Sequence, residues 1–187
     1  MRTFVAAVLP EEMKKQINTL VEKYRPHNQS IKWVKEENIH ITLNFLGEVA
    51  EGNIEVLTEI IGSALRGMSS FFVNVGGISA FPSPERPRVL WVGVDDPEQG
   101  LKKAYLAICD TLEHSALEVH RENKEYIPHI TIGRIKGRLD KNSVRNLYAC
   151  QDQKYGEFQV KEIVLFRSIL HPQGPRYMQV HTFSFHS

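Results

Sequence analysis

Two short segments of the sequence each combine an imidazole with a hydroxyl. Residues 40–43 and 129–132 share the pattern His-x-Thr with large aliphatic residues at the alternate positions. Because successive side chains of a strand point to opposite faces, each segment sets its histidine beside its threonine. If the two strands lie next to each other, two imidazoles and two hydroxyls surround one spot. Imidazoles supply an acid and a base near neutral pH, so the pattern indicates a phosphodiester site.

Other chemistries find no support in the sequence. There is no HExxH, no His-x-His and no carboxylate at ligand spacing beside either motif, so we expect no metal. No GxSxG and no GxxxxGK[ST] loop is present, and neither cysteine has a histidine placed for nucleophilic catalysis. The sequence therefore predicts an enzyme without metal or other cofactor.

The two motifs require strands to carry them, and hydrophobic periodicity predicts a mixed order of strands and helices. We expect strands over residues 3–9, 31–34, 40–46, 71–80, 89–94, 129–135, 158–170 and 177–185. We expect helices over residues 11–24, 51–65, 97–117 and 139–148. Loops are short, which favours one domain over residues 1–187. A strand, a helix and then His-Ile-Thr occur in both halves, which suggests two related lobes.

Composition excludes several classes of protein. The 187 residues are 42% hydrophobic and 24% charged, with a net charge of +1, which is typical of globular domains. No apolar run approaches the roughly 20 residues that a membrane span requires. The apolar segment 4–10 is short and meets charged residues, so we interpret it as a first strand rather than a signal peptide. Two distant cysteines fit thiols in a reducing cytoplasm.

A local basic cluster is consistent either with a solvated surface or with a binding surface for a polyanion. Its members are Arg134, Lys136, Arg138, Lys141 and Arg145. Arg134 lies five positions after His129 and so nominally on the opposite face of the strand. It would need a strand end or a bend to reach the site, and an ion pair at the surface or core edge is equally compatible with its position. Trp91 could stack on a base, but its apolar run favours a core position, and Phe45 is interpreted as a packing residue.

The paired motifs resemble those of the 2H phosphoesterase superfamily. Nearly end to end, the chain resembles its RNA 2′,3′-cyclic phosphodiesterase branch, also called the 2′–5′ RNA ligase family. The segments that carry the resemblance are residues 1–6, 40–47, 81–82, 86–91, 128–134, 166–168 and 174–177.

The resemblance implies a two-lobed α+β fold in which antiparallel sheets line a central groove and helices lie outside. It implies metal-independent opening of an RNA terminal 2′,3′-cyclic phosphate to a 2′-phosphate, a step of tRNA processing. His129 would be the base and His40 the acid, although the symmetry of the motifs assigns neither role. The implied substrate-binding residues are Thr42, Thr131, Arg134, Arg88, Ser168 and Tyr177. We expect a cytoplasmic monomer that acts on RNA 3′ ends or nucleoside 2′,3′-cyclic phosphates.

Three alternatives remain open at the level of sequence. The chain could run the reverse reaction as a 2′–5′ RNA ligase. It could act on another small cyclic phosphate, such as ADP-ribose 1″,2″-cyclic phosphate. It could also bind RNA ends without turnover, although lysine or arginine would serve binding alone as well as histidine does.

Overall fold

The computed structural model describes residues 1–120, 125–137, 139, 148–172 and 174–186. Within these ranges the chain forms nine strands and three α-helices. The strands are β1 (Arg2–Val8), β2 (Ile31–Trp33), β3 (His40–Glu48), β4 (Phe71–Phe81), β5 (Val89–Asp95), β6 (His129–Ile135), β7 (Lys154–Val160), β8 (Glu162–Ile169) and β9 (Arg176–Ser184). The helices are α1 (Glu11–Tyr24), α2 (Ile54–Ala64) and α3 (Gly100–Glu113).

The strands form one curled antiparallel sheet with the order β7-β4-β5-β6-β3-β1-β8-β9, and β2 pairs with β6 beside this path. The sheet thus has two four-stranded halves that meet where β3 lies against β6. Ile41 pairs with Ile130 at this joint. The α+β class predicted from the sequence is confirmed, but the two halves share a single sheet rather than forming separate ones.

The two faces of the sheet bury different sets of side chains. On one face, Val5 and Ala7 of β1 join the main core, into which all three helices pack their apolar stripes. On the other face, Phe4 and Ala6 form a smaller apolar cluster with residues of β8. This second face carries no α-helix of the described ranges. It is therefore the face on which a groove can form.

Most predicted elements agree with the structure. The bounds of α1 and β6 match their predictions, whereas α3 is shorter than the predicted 97–117. Its start is fixed by the Asp96 carboxylate, which accepts hydrogen bonds from the backbone N–H groups of Gly100 and Lys102. The predicted helix 139–148 lies, apart from its two end residues, outside the described residues. No helix that the structure describes is long and apolar enough to cross a membrane.

The predicted strand 158–170 is wrong, because the chain divides there into β7 and β8. β7 pairs with β4 at one end of the sheet, and β8 pairs with β1 in the other half. Only Lys161 separates the two strands. Apolar periodicity continues through this residue because both strands bury side chains in the same core, and periodicity carries no information about which strand is the neighbour.

Candidate active site

The joint between β3 and β6 places the two His-x-Thr motifs side by side. Ile41 and Ile130 pair directly and are fully buried in the core. Residues adjacent to them therefore point to the opposite face, where the groove lies. When the antiparallel register is continued by one residue, each histidine lies across from the threonine of the other motif. The two imidazoles and two hydroxyls thus occupy one patch of the groove floor.

Both imidazoles are oriented in the same way. The Nδ1 atom of His40 is 2.7 Å from the backbone oxygen of Asn38, and the Nδ1 atom of His129 is 2.7 Å from that of Ile127. A carbonyl oxygen only accepts, so Nδ1 carries the proton in each ring. Nε2 of each ring is then the atom available for proton transfer. In His40 this atom is 2.9 Å from the hydroxyl oxygen of Thr42.

Aromatic rings hold each imidazole from the side. The His40 ring lies 5.0 Å from Phe4 and 5.4 Å from Tyr177, measured between ring centroids. The His129 ring lies 5.0 Å from Phe81 and 6.1 Å from Trp91. These contacts restrict ring rotation and so preserve the orientation of Nε2. The interpretation of Trp91 as a core residue is wrong, because its register partner is Thr131 and its ring lies on the groove face.

Burial sets the charge state of two groups in the groove. The pKa of His40 is lowered from 6.5 to about 4, chiefly by desolvation; the hydrogen bond to Asn38 opposes the shift, and the charge of a protonated His129 would add to it. His40 is therefore neutral at neutral pH. Desolvation raises the pKa of Tyr177, against the opposing charges of Arg134 and Arg2. Its phenol stays protonated and can donate a hydrogen bond.

A bulge brings Arg134 to the groove. Thr131 and the residue two positions later pair with consecutive residues of β5, so Ile132 is an extra residue in β6. One extra residue reverses the alternation of the side chains that follow. Arg134 is accordingly exposed between buried neighbours, and its charge acts on Tyr177. This bulge is the bend that Arg134 needs in order to reach the groove side of the strand.

The same irregularity recurs in β3. Thr42 and the residue two positions later pair with consecutive residues of β1, so Leu43 is an extra residue. Phe45 therefore holds the position in β3 that Arg134 holds in β6. It packs against the groove-side apolar cluster, as its interpretation as a packing residue expects. The guanidinium carbon of Arg2 lies 4.9 Å from the centroid of its ring.

The remaining predicted groove residues of the β1 half form a row. Arg2 pairs with Ser168, and Ser168 pairs with Tyr177, across β1, β8 and β9. Side chains paired across neighbouring antiparallel strands share a face. Ser168 and Tyr177 thus lie together on the groove side.

The backbone of Arg88 forms two hydrogen bonds to neighbouring segments. Its N–H donates to the carbonyl of Phe81 at 2.7 Å, and its carbonyl accepts from the N–H of Ile135 at 2.9 Å. These bonds tie β4, β5 and β6 together, and the side chain is exposed. Within the basic cluster, Arg134 and Lys136 are also exposed, and the other three members lie outside the described residues.

Two residues that sequence reasoning missed support the first motif. The side-chain amide of Asn38 donates to the backbone oxygen of Pro175 at 2.8 Å, which ties the motif to the segment before β9. The hydroxyl of Tyr126 donates to the backbone oxygen of Thr42 at 3.2 Å. Asn38 could have been found from its position two residues before His40. Nothing in the sequence around Tyr126 indicates its contact with the first motif.

A cavity of about 550 Å³ adjoins the groove on the His40 side. Lys35, Asn38, Arg176 and Tyr177 are among the residues that line it. The side chain of Tyr177 is common to this cavity and to the wall beside His40. The cavity can therefore take a group that continues from a ligand in the groove. In the described ranges, no three His, Cys, Asp or Glu side chains are placed to hold a metal ion.

Comparison with known proteins identifies the family. A family model described as "LigT like Phosphoesterase" matches residues 8–91 and again residues 96–177. The chain belongs to the LigT-like phosphoesterase family. The match confirms the phosphoesterase resemblance seen in the sequence. Each matched segment of the LigT-like phosphoesterase model contains one His-x-Thr motif.

The curated relatives cover the whole chain. A Thermotoga maritima protein named RNA 2′,3′-cyclic phosphodiesterase is 36% identical over 185 residues, which are 99% of this chain and 96% of that protein. A protein of the same name from Methanothermobacter thermautotrophicus is 30% identical over 184 residues, 97% of each chain. The similarity between this chain and these two relatives thus extends over nearly the full length of each protein.

Solved structures share the fold. A crystal structure of a Thermus thermophilus protein superposes with a TM-score of 0.84 at 27% identity and covers 99% of this chain and 98% of that one. Escherichia coli LigT complexed with 3′-AMP superposes with a TM-score of 0.80 at 24% identity, covering 98% and 97%. The curled sheet is therefore the architecture of this LigT-like phosphoesterase and of both solved proteins.

Proposed function

We propose that the protein hydrolyses the terminal 2′,3′-cyclic phosphate of RNA to a 2′-phosphomonoester, with His40 and His129 as an acid–base pair. The observation that carries the proposal is the direct pairing of Ile41 with Ile130, which sets both Nε2 atoms in one groove. The full-length relatives named RNA 2′,3′-cyclic phosphodiesterase support the same reaction.

In the proposed step, a water molecule attacks phosphorus in line with the 3′-oxygen. His129 removes the water proton through Nε2, the bond from phosphorus to the 3′-oxygen breaks, and His40 donates a proton to the leaving oxygen. The product carries a 2′-phosphate and a free 3′-hydroxyl. No metal and no other cofactor takes part. These roles follow the family resemblance.

The remaining site residues are proposed to hold the phosphate. Hydroxyl donors placed at Thr42 and Thr131 can bind the non-bridging oxygens, on which charge grows in the transition state. Arg134 adds a guanidinium that can bind two oxygens at once. Tyr177 adds a phenol that burial keeps protonated. Ser168, on the groove side, is proposed as an outer contact.

Arg88 is proposed as a further outer contact, for RNA beyond the reacting end, because its side chain is exposed immediately before β5. We also propose that the protein is a monomer of the cytoplasm. Cys109 and Cys150 are thiols rather than a disulfide, which suits a reducing compartment.

Identification of the product tests the proposal. The protein is incubated with each of the four nucleoside 2′,3′-cyclic phosphates, with an oligoribonucleotide that ends in a cyclic phosphate, and with ADP-ribose 1″,2″-cyclic phosphate. We expect the RNA-type substrates to yield only the 2′-phosphomonoester, with the rate unchanged by a chelator. A 3′-phosphomonoester, binding without product, preferred cleavage of the ADP-ribose compound, or chelator-sensitive activity restored by zinc or magnesium would contradict the proposal.

The amide of Asn38 is proposed as a positioning group. Asn38→Ala removes the bond to Pro175 and frees the backbone segment whose carbonyl orients His40. A hydrogen bond of this kind contributes about 0.5–1.5 kcal/mol, which corresponds to a loss of up to about 10-fold in rate when the bond positions a reacting group. We expect kcat to fall by about 10-fold with KM little changed. Steady-state kinetics checks this, with Asn18→Ala as the control, since the Asn18 amide binds Glu36 instead. Equal losses in both variants would contradict the role.

A further inference from the structure

Two guanidinium groups flank the groove from opposite halves of the sheet. Arg134 reaches it through the bulge in β6. Arg2 reaches it from β1, where it is exposed and has its guanidinium over the ring of Phe45. Alternation along β1 puts Arg2 on the same face as Phe4 of the groove-side cluster. Both arginines therefore lie on the groove side of the sheet, and the charges of both act on Tyr177. Phe45 in β3 and Arg134 in β6 hold equivalent positions in their strands. In the β3 half, where this position carries an uncharged ring, the positive charge is supplied by Arg2 above that ring.

The surroundings of Arg2 leave its charge available. In the described part of the chain, Arg2 forms no ion pair. Its register partner in β3 is Glu48, whose carboxylate lies 3.2 Å from the amino group of Met1 instead. Ser168, its register partner in β8, offers a hydroxyl on the same face. A cation held over an aromatic ring and beside a hydroxyl is suited to an anion.

The reacting phosphate does not need Arg2. A nucleoside 2′,3′-cyclic phosphate carries one negative charge, which Arg134 and the donors of the two motifs already meet. An RNA end brings a second charge, because its last nucleotide is joined to the preceding one through another phosphate. That phosphate lies next to the reacting one along the strand, and a second cation at the groove is what it requires.

We propose that Arg2 binds the phosphate joining the cyclic-phosphate nucleotide to its 5′ neighbour, and that this contact favours RNA ends over free cyclic nucleotides as substrates. The ring of Phe45 holds the guanidinium in place, and Ser168 donates a further hydrogen bond to the same phosphate. This inference rests on the proposed function, since it assigns the polymer part of that substrate.

The test compares substrates that differ by one charge. They are a nucleoside 2′,3′-cyclic phosphate, the dinucleotide that ends in the same group, and that dinucleotide with an uncharged methylphosphonate linkage. We expect Arg2→Gln to lower kcat/KM about 10-fold on the charged dinucleotide and less than about 2-fold on the other two substrates. Arg2→Lys should recover part of the loss. Arg66→Gln, which removes an exposed arginine beyond α2, is the matched control and should change none of the three values.

Salt dependence gives a second measurement. Each phosphate contact on a single strand contributes about 0.7 to the slope of log affinity against log salt. The slope for binding of a dinucleotide that ends in a 2′-phosphate should therefore be shallower in Arg2→Gln, by at most about 0.7, because so short a chain condenses fewer counterions than a long strand. This binding measurement needs no turnover, so it tests Arg2 even if the wild type fails to hydrolyse every substrate and the proposed function is wrong. Equal losses of kcat/KM on all three substrates, or an unchanged slope, would overturn the inference.

Discussion

Removal of either imidazole, in His40→Ala or His129→Ala, is expected to lower kcat for a nucleoside 2′,3′-cyclic phosphate by about 10²–10⁴-fold. Each variant leaves one proton transfer without a partner: in one case the leaving oxygen departs unprotonated, and in the other the water attacks without a base. Initial rates with chromatographic separation of the products measure the loss. The double variant should be little slower than the single ones, because residues that act as one unit are not additive.

The controls separate loss of chemistry from loss of fold. The His40 ring packs against Phe4, so His40→Ala leaves a gap in the groove-side cluster, and His40→Gln fills more of it. Both should unfold at temperatures close to that of the wild type. His114→Ala removes an exposed histidine at the end of α3 and should retain full activity. Turnover at the wild-type rate in either His40 variant or in His129→Ala would refute the acid–base pair.

Short-range pattern was sufficient to find the histidine pair. A period of two places His40 beside Thr42 and His129 beside Thr131, whatever the strands pair with. The alternating aliphatic residues also identify the face that must be buried. Two identical motifs with this pattern indicate one shared site, and the pairing of Ile41 with Ile130 is the contact that puts both motifs in one groove.

The residues around the pair depend on features that sequence periodicity does not contain. Arg134 faces the groove because Ile132 is an extra residue, and an apolar side chain in a bulge looks the same as one in a regular strand. Trp91 lies in an apolar run but pairs with Thr131, so its face is decided by register. Arg2 approaches Phe45 only because β1 pairs with β3, which is a long-range contact.

The low pKa of His40 places a condition on the proposed roles. At about 4, this pKa makes His40 neutral at pH 7, whereas a general acid needs its proton. The anionic phosphate supplies what is needed, because a negative charge beside Nε2 favours the imidazolium and raises the pKa. A proton is then taken up together with substrate. The reverse assignment, with His40 as base, is the alternative that this low pKa favours, because a general base must be neutral.

The pH profile alone does not choose between the assignments. If His40 is the base, kcat/KM rises with pH through about 4 as its imidazolium is lost. If His40 is the acid, the active form has His40 protonated and His129 neutral, and it holds the same total number of protons as the reverse form. The pH profile then has the same limits. In both cases a limb near pH 4 is expected in the wild type. A profile without that limb would show that His40 is not the buried neutral group that its environment indicates.

A substrate with sulfur in place of the 3′-oxygen separates the two roles. A thiolate leaves without protonation, so the general acid becomes dispensable while the base is still required. We expect His40→Ala to hydrolyse the sulfur substrate within about 10-fold of the wild type, a recovery of about 10²-fold or more relative to its rate on the oxygen substrate. His129→Ala should remain slower than the wild type by about 10²-fold or more on both substrates. Recovery in His129→Ala instead would make His40 the base, in the neutral form that its low pKa already indicates.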